Sequence, residues 1–268
     1  MQRWLTILLF CFLPFSGLLH AEGLEHECTL WAAYGGKWQQ DAYLSPLLYD
    51  GQTVGLGSRW EQMFRRDSAW THRGELYLNG AFFLNKSKQN IIYNLGVQSG
   101  WGADYNFEQL IGVRGLNMAL GPCIDLDYSG RLLGSNVNKP YSMDLGLSVG
   151  AHAGLSYRFA GKHSHYRVRY EVMTLAVGLQ YVPEYWESYY ELSGAVADGL
   201  VFASFHNKQT VRQMLTLDMQ FRHSAWVVGV RHEFVHYAIH GIQMRREEVA
   251  VVVGTCFQYV TKIRPYRW

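Results

Sequence analysis

The stretch MDLGLSVGAHAGLSYRF, residues 143–159, decides the fold because its side chains alternate between two kinds. Its odd-numbered residues are apolar, and they are Met143, Leu145, Leu147, Val149, Ala151, Ala153, Leu155, Tyr157 and Phe159. Its even-numbered residues are small, polar or charged. Successive side chains of a β-strand point to opposite faces, so this period of two predicts a long strand with one apolar and one polar face.

The same alternation recurs along the rest of the chain. It is found at residues 54–64, 75–84, 91–101, 211–221, 226–230 and 249–259. Short segments rich in Gly, Asn, Ser and Pro separate these stretches, as expected of turns between strands. The sequence therefore predicts an all-β protein.

Two architectures accept such strands, a soluble sandwich and a transmembrane barrel. Several strands reach the ~9–11 residues that a tilted strand needs to cross a bilayer. Tyr and Trp gather near the strand ends, as in an aromatic girdle, and ionisable residues such as Arg167 and Arg169 occupy the non-apolar faces. We expect an antiparallel, transmembrane, up-and-down β-barrel, with an exported soluble sandwich as the alternative.

The strand count follows from the length of the chain. The 268 − 21 = 247 residues after the first 21, divided by about 20 residues per strand and turn, predict about 12 strands. Ten strands are expected instead if residues 28–36 precede the barrel and residues 107–130 form one bent strand rather than two that meet at Gly121 and Pro122. Large charged side chains inside a barrel of this size are expected to fill it.

The first 21 residues predict export. Arg3 precedes an apolar segment from Leu5 to Leu19, and Ala21 precedes the acidic Glu22, which is the pattern of a cleaved signal peptide. Residues 22–268 are then a single barrel domain, and the predicted location is the outer membrane. The chain has a formal charge of +2 and no block of basic residues, so no nucleic-acid partner is expected.

Three cysteines, Cys28, Cys123 and Cys256, remain after cleavage. Their odd number and wide spacing indicate neither a metal site nor a disulfide framework. One disulfide and three semi-buried thiols are both compatible with the sequence.

His232, Glu233 and His236 match the zinc-protease motif HExxH. The motif requires a helix, whereas the alternation of the preceding Trp226, Val228 and Val230 continues into it. On a strand the two histidines are about 13 Å apart and cannot bind one zinc ion. We interpret the match as chance and expect neither a metal nor a cofactor.

The first candidates for a site inside the barrel are Asp125, Asp127, His152 and Arg158. Two carboxylates that share a strand face can act in acid–base chemistry or bind a divalent cation. The alternative is that they neutralise arginines of the lumen, since an unpaired enclosed charge is costly. The arginines considered for that role are Arg114, Arg158, Arg167 and Arg169.

Four segments together resemble a known family. They are Tyr43–Leu47, Asn106–Phe107, Asn136–Pro140 and the aromatic and acidic cluster Pro183–Glu191. The chain is similar in these segments to a family of uncharacterised Gram-negative outer-membrane proteins, grouped as a domain of unknown function. The resemblance covers most of the mature chain, implies an outer-membrane barrel and supplies no catalytic residues. Pro183–Glu191 itself is predicted to anchor the barrel at the membrane interface, with sugar or lipid binding as the alternative.

Three classes of function remain open at this point. The first is a structural or accessory envelope protein with a filled lumen, and the second is a narrow channel or a binder of a small solute or lipid. The third is a membrane-embedded, lipid-modifying hydrolase. The expected partners are outer-membrane lipid and lipopolysaccharide, together with the barrel-assembly machinery during biogenesis, while the small-molecule ligand is left unspecified.

Overall fold

The computed structural model describes residues 25–64, 68–87, 89–108, 110–136, 140–161, 164–182, 199–221 and 224–260. The predicted signal peptide and the cluster Pro183–Glu191 lie outside these residues. The described ranges contain one short 3₁₀ helix, Leu110–Gly112, and eleven strands. The strands are β1 Glu25–Asp41, β2 Ser45–Met63, β3 Trp70–Asn85, β4 Ile91–Phe107, β5 Leu116–Leu133, β6 Tyr141–Ala160, β7 His165–Tyr181, β8 Leu200–Ser204, β9 Lys208–Gln220, β10 Ala225–Ile239 and β11 Ile242–Val260.

Ten of these strands form a closed antiparallel barrel. Each pairs with its neighbours in the order β1-β2-β3-β4-β5-β6-β7-β9-β10-β11, and pairing of β1 with β11 closes the ring. Closure satisfies the backbone hydrogen bonds of both edges of every strand over most of its length, which is the requirement for a sheet that crosses a membrane.

The eleventh strand, β8, lies outside the ring and extends β9. It pairs with residues 177–181 of β7, whereas β9 pairs with residues 165–174. Because β6 pairs along the other edge of β7, β8 and β9 follow each other on the same edge. The chain turns between them, where the Ser204 amide donates to Asn207 Oδ1 at 2.7 Å.

Ten is the lower of the two predicted strand counts. Residues 107–130 do not contain two strands that meet at Gly121 and Pro122, because β5 continues through both residues. Residues 28–36, however, lie within β1, which pairs on both edges and belongs to the barrel. The count of twelve was too high because the ring strands are 13–20 residues long, which leaves room for fewer of them.

The turn between β10 and β11 contains two residues, because β10 ends at Ile239 and β11 begins at Ile242. His240 and Gly241 have φ values of 52° and 72°, and two consecutive residues with positive φ are enough to close a two-residue hairpin.

The two faces of the wall differ as the alternation predicts. Outward side chains are apolar, with Leu95 61% exposed and Leu147 49% exposed, whereas most inward side chains of the middle of the barrel are polar and buried. A soluble sandwich would have the reverse arrangement, with its apolar face inside. No helix in the described ranges has the length and hydropathy of a membrane-spanning segment.

Glu25 and Val260 lie side by side at one end of the barrel, which we call the terminal end. The opposite end, called the distal end, includes the pair formed by Tyr181 at the end of β7 and Leu200 at the start of β8. Aromatic side chains surround the terminal end, with ring centroids 5.3 Å apart for Trp70 and Tyr105 and 5.2 Å apart for Phe159 and Tyr166. This arrangement matches the aromatic girdle of a membrane barrel.

Candidate functional site: the lumen of the barrel

The lumen contains three successive layers. The layer at the distal end is an apolar plug contributed by loops and strand ends from around the ring. Its buried members are Tyr43, Leu44, Tyr49, Ala81, Phe83, Ile92, Leu133, Val182, Val235, Tyr237, Ile239, Ile242 and Met244. Burial of these side chains against each other removes apolar surface from water and closes this end.

Below the plug lies a central network of charged and polar side chains. Its members are Lys37, Tyr77, Gln98, Asp125, Asp127, Arg212, Arg231, Glu233, Arg246 and Glu248. All of these side chains are buried, and alternation places them inside because they share the inward parity of their strands.

The central network spans the full width of the barrel. Gln98 Nε2 on β4 donates to Glu233 on β10 at 2.7 and 2.9 Å. Strands β4 and β10 are five steps apart in a ring of ten, so these two side chains meet from opposite walls. Arg246 on β11 and Asp127 on β5 are also five steps apart, and their side chains approach to 3.4 Å.

Two glutamates organise the positive charges of this network. Glu233 contacts Arg246 at 3.0 Å and Arg231 at 3.2 Å. Glu248 contacts Lys37 at 3.3 Å and Arg231 at 3.1 Å, and the Tyr77 hydroxyl donates to it at 2.9 Å. Each buried charge therefore has an opposite charge beside it, as an enclosed polar network requires.

Asp125 and Asp127 belong to this network. Arg212 donates to Asp125 and lies 3.6 Å from Asp127, which also contacts Arg246. Both carboxylates are thus paired with arginines, but the four arginines proposed from the sequence were the wrong ones.

The third layer is a cavity of about 480 Å³ at the terminal end, which we call the terminal cup. At its centre the Nδ1 atom of His152 lies 3.1 Å from the carboxylate of Asp104, and its Nε2 atom lies 3.7 Å from Glu171. Arg73 Nε donates to Asp104 at 3.1 Å and fixes that carboxylate. Small inward residues beside His152, including Gly154, leave the space open.

Ion pairs from opposite walls surround His152 and the cavity. Arg167 donates to Glu27 at 2.9 Å and to Asp218 at 2.7 Å, and Arg169 donates to Glu27 at 2.7 Å. Arg169 on β7 also binds Glu61 on β2, and Arg59 on β2 binds Glu171 on β7. Two residues that line the cup each have a buried nitrogen without a hydrogen-bond partner in the described part of the chain, and these atoms are Arg73 Nη2 and His152 Nε2.

The four candidates from the sequence are therefore divided between two layers. His152 and the exposed Arg158 line the terminal cup, whereas Asp125 and Asp127 lie in the central network. The sequence alone does not identify Asp104, Arg73 or Glu171 as partners of His152. Strand parity was the available signal, since all of these residues have the inward parity, but parity does not give the partner.

The HExxH residues lie on β10, and the wall separates them. Glu233 points into the lumen, while His232 and His236 lie on the outer face, where His232 Nε2 is 3.5 Å from Glu247. A search of the described residues gives no group of three or more His, Cys, Asp or Glu side chains placed to hold a metal ion. The three cysteines are free, with Cys123 and Cys256 buried and Cys28 half-buried.

This geometry defines the class of the protein: a closed antiparallel β-barrel with an apolar outer surface and a polar lumen, the fold of outer-membrane barrels. Residues 20–264 match the model of a family described as "Protein of unknown function (DUF3316)", and the chain belongs to that family. No curated protein matches the sequence.

Solved outer-membrane barrels resemble the chain in fold at low identity. The outer membrane protease OmpT from Escherichia coli is 6% identical with a TM-score of 0.42, and the match covers 90% of this chain and 98% of OmpT. The transport unit of the autotransporter AIDA-I from Escherichia coli is 6% identical with a TM-score of 0.42, covering 94% of each chain. The toluene transporter TodX from P. putida is 9% identical with a TM-score of 0.35, covering 95% of this chain and 92% of TodX.

Proposed function

We propose that this protein is a non-conducting structural or accessory barrel of the outer membrane. The contact between Gln98 and Glu233 carries the proposal, because it joins opposite walls at 2.7 Å in the middle of the lumen. The apolar plug lies in series with it at the distal end. An ion that crossed the barrel would need to break a buried charged network and then enter an apolar layer, and both steps are costly.

The location and orientation are part of the same proposal. Residues 1–21 act as a cleaved signal peptide, residues 22–268 form one barrel, and the barrel-assembly machinery inserts it into a membrane of phospholipid and lipopolysaccharide. The two described strands separated by the most residues, β7 and β8, end and begin at the distal end, at Tyr181 and Leu200. Membrane barrels have their longer loops outside, so the distal end faces the exterior and the terminal cup faces the periplasm.

Conductance in planar bilayers tests this function. We expect no current steps from the refolded mature protein under conditions in which an open porin conducts. A variant with Gln98→Ala and Glu233→Ala removes the central contact but keeps the plug, so it is expected to stay closed. Adding Phe83→Ala and Tyr237→Ala to this variant removes two large side chains of the plug as well, so the fourfold variant is expected to produce current steps. Regular steps from the unmodified protein would overturn the proposal.

A second candidate function is binding of a small polar solute in the terminal cup. It is favoured by one observation: Arg73 and His152, which line a cavity of about 480 Å³, each have a buried side-chain nitrogen without a hydrogen-bond partner among the described residues. Buried polar atoms are nearly always satisfied, so these two nitrogens favour an occupant with acceptor oxygens. Thermal shifts with citrate, phosphate and glutamate test it, and a shift that persists in Arg73→Gln would exclude the cup as the site.

A further inference from the structure

The outer wall formed by β9, β10 and β11 contains a polar patch where a lipid-facing surface is expected to be apolar. We define the outer polar patch as Gln209, Gln213, His232, His236, Arg245 and Glu247. All six residues have the outward parity of their strands, and Arg245 is the most exposed of the ion-paired ones, at 60%.

The strand register brings these side chains together. His236 pairs directly with Gln209 on one side and with Arg245 on the other, so the three residues form a row across three strands. Two residues toward the terminal end on β11, Glu247 lies 3.5 Å from His232 and 3.6 Å from Arg245. Arg245 also lies over the Phe234 ring, with 5.7 Å to the centroid.

The depth of the patch can be measured from two exposed aromatic residues near the terminal end, Phe257 on β11 and Trp226 on β10. Arg245 is twelve residues from Phe257 on β11, which is about 40 Å along a strand and about 30 Å along the membrane normal at a tilt near 40°. His232 is six residues from Trp226 on β10, or about 15 Å along the normal by the same conversion. Since the apolar band of such barrels is about 25 Å tall, the patch extends from inside the band to the headgroup level of the distal leaflet.

The opposite wall has no such patch. The outward residues of β6 are apolar along its length, from Tyr141 to Phe159, and those of β4 include Tyr93 and Leu95 in its distal half. The polar surface continues from Arg245 to the exposed Gln40, its register partner on β1, but it does not reach β4 or β6 and is therefore not a ring that surrounds the barrel.

We propose that the outer polar patch binds the phosphate-bearing headgroup of a lipid in the distal leaflet. The Arg245 guanidinium supplies paired donors for phosphate oxygens, and His236 beside it supplies another. Glu247 positions Arg245 and His232 without covering the guanidinium. The acyl chains then pack on the exposed valines directly below the patch, Val230, Val249 and Val251. This juxtaposition of anion donors and a smooth apolar strip matches a lipid better than a soluble anion.

Titration of the full mature barrel in detergent with diphosphoryl lipid A tests the proposal, with bound lipid counted by native mass spectrometry. Arg245→Gln and His236→Gln remove donors from the patch, while Arg114→Gln makes the same substitution at an exposed arginine of the terminal end that does not line the cup. Circular dichroism and a heat-modifiable band show that each variant is folded.

We expect Arg245→Gln to weaken lipid A binding about tenfold, which is the loss of one charge-assisted hydrogen bond. His236→Gln should weaken it less, and Arg114→Gln should leave it unchanged. Removing one phosphate from the lipid should weaken binding to the unmodified barrel but have little further effect on Arg245→Gln. Binding within twofold in Arg245→Gln, an equal loss in Arg114→Gln, or full competition by inorganic phosphate at equal concentration would each overturn the proposal. None of these outcomes depends on conductance, so the test is independent of the proposed closed lumen.

Discussion

Glu233 is the residue whose replacement should reveal most about how the lumen is held together. Its side chain is 1% exposed and accepts hydrogen bonds from Arg246 at 3.0 Å and from Gln98 at 2.7 Å. Arg231 lies 3.2 Å away. Glu233→Gln keeps the volume and the hydrogen bond from Gln98 but removes the charge that the guanidinium groups of Arg212, Arg231 and Arg246 share.

The magnitude follows from those contacts. Hydrogen bonds to charged groups contribute about 1.5–3 kcal/mol each, and breaking a buried ion pair by removing one partner costs about 3–5 kcal/mol. We expect Glu233→Gln to lower the free energy of unfolding by about 3–5 kcal/mol. The assay is equilibrium urea unfolding of the barrel in lipid vesicles, followed by tryptophan fluorescence.

The matched control is Glu247→Gln on the outer face of the same wall. Glu247 is 35% exposed and its ion pairs are 3.5 and 3.6 Å long, so its loss should cost no more than about 1 kcal/mol. If the two substitutions cost the same within error, the central network does not stabilise the barrel as argued here.

Three further predictions concern other parts of the wall and lumen. Gly57→Val should destabilise the barrel by about 1–3 kcal/mol, because a Cβ at this position would lie 2.2 Å from the Trp31 indole. An unchanged melting temperature of the heat-modifiable band would contradict this prediction. Tyr237→Phe removes a 2.7 Å hydrogen bond to the buried Asp144 and should cost about 1.5–3 kcal/mol in urea unfolding, against no measurable change for the outward-facing Tyr93→Phe. In the folded barrel a maleimide should react with the half-buried Cys28 before Cys123 or Cys256, which are 1% and 7% exposed. If mass spectrometry showed the reverse order of labelling, the inward placement of Cys123 and Cys256 would be wrong.

The features that the sequence predicted correctly depend on local geometry. Alternation requires only that successive side chains of a strand point to opposite faces, so residues 143–159 already show which side chains face lipid and which face the lumen. The barrel followed because an apolar face on one side and ionisable residues on the other fit a membrane wall. The exact number of strands depended on strand length, which the period of two does not limit.

The features that the sequence could not provide depend on closure of the ring. Asp125 is paired with Arg212, 87 residues away, and not with any of the four arginines considered from the sequence. Parity restricts the partners of Asp125 to inward side chains, but the choice among them depends on the register of every strand between β5 and β9. The site at His152 has the same origin, because Asp104 and Glu171 reach it from β4 and β7, the two strands on either side of the β5–β6 pair.

Glu233 shows how the two levels of information combine. In the letters of HExxH it occupies the position of a catalytic base between two zinc ligands, but on a strand its parity is opposite to that of His232 and His236. Parity alone therefore moves it into the lumen and leaves both histidines outside, on the surface where we propose a lipid headgroup binds. Its main partner is Gln98, which belongs to a strand five steps away around the ring. The contact between Gln98 and Glu233 forms only when the barrel closes. Strand β10 therefore contributes Glu233 to the closed lumen and His232 and His236 to the outer polar patch.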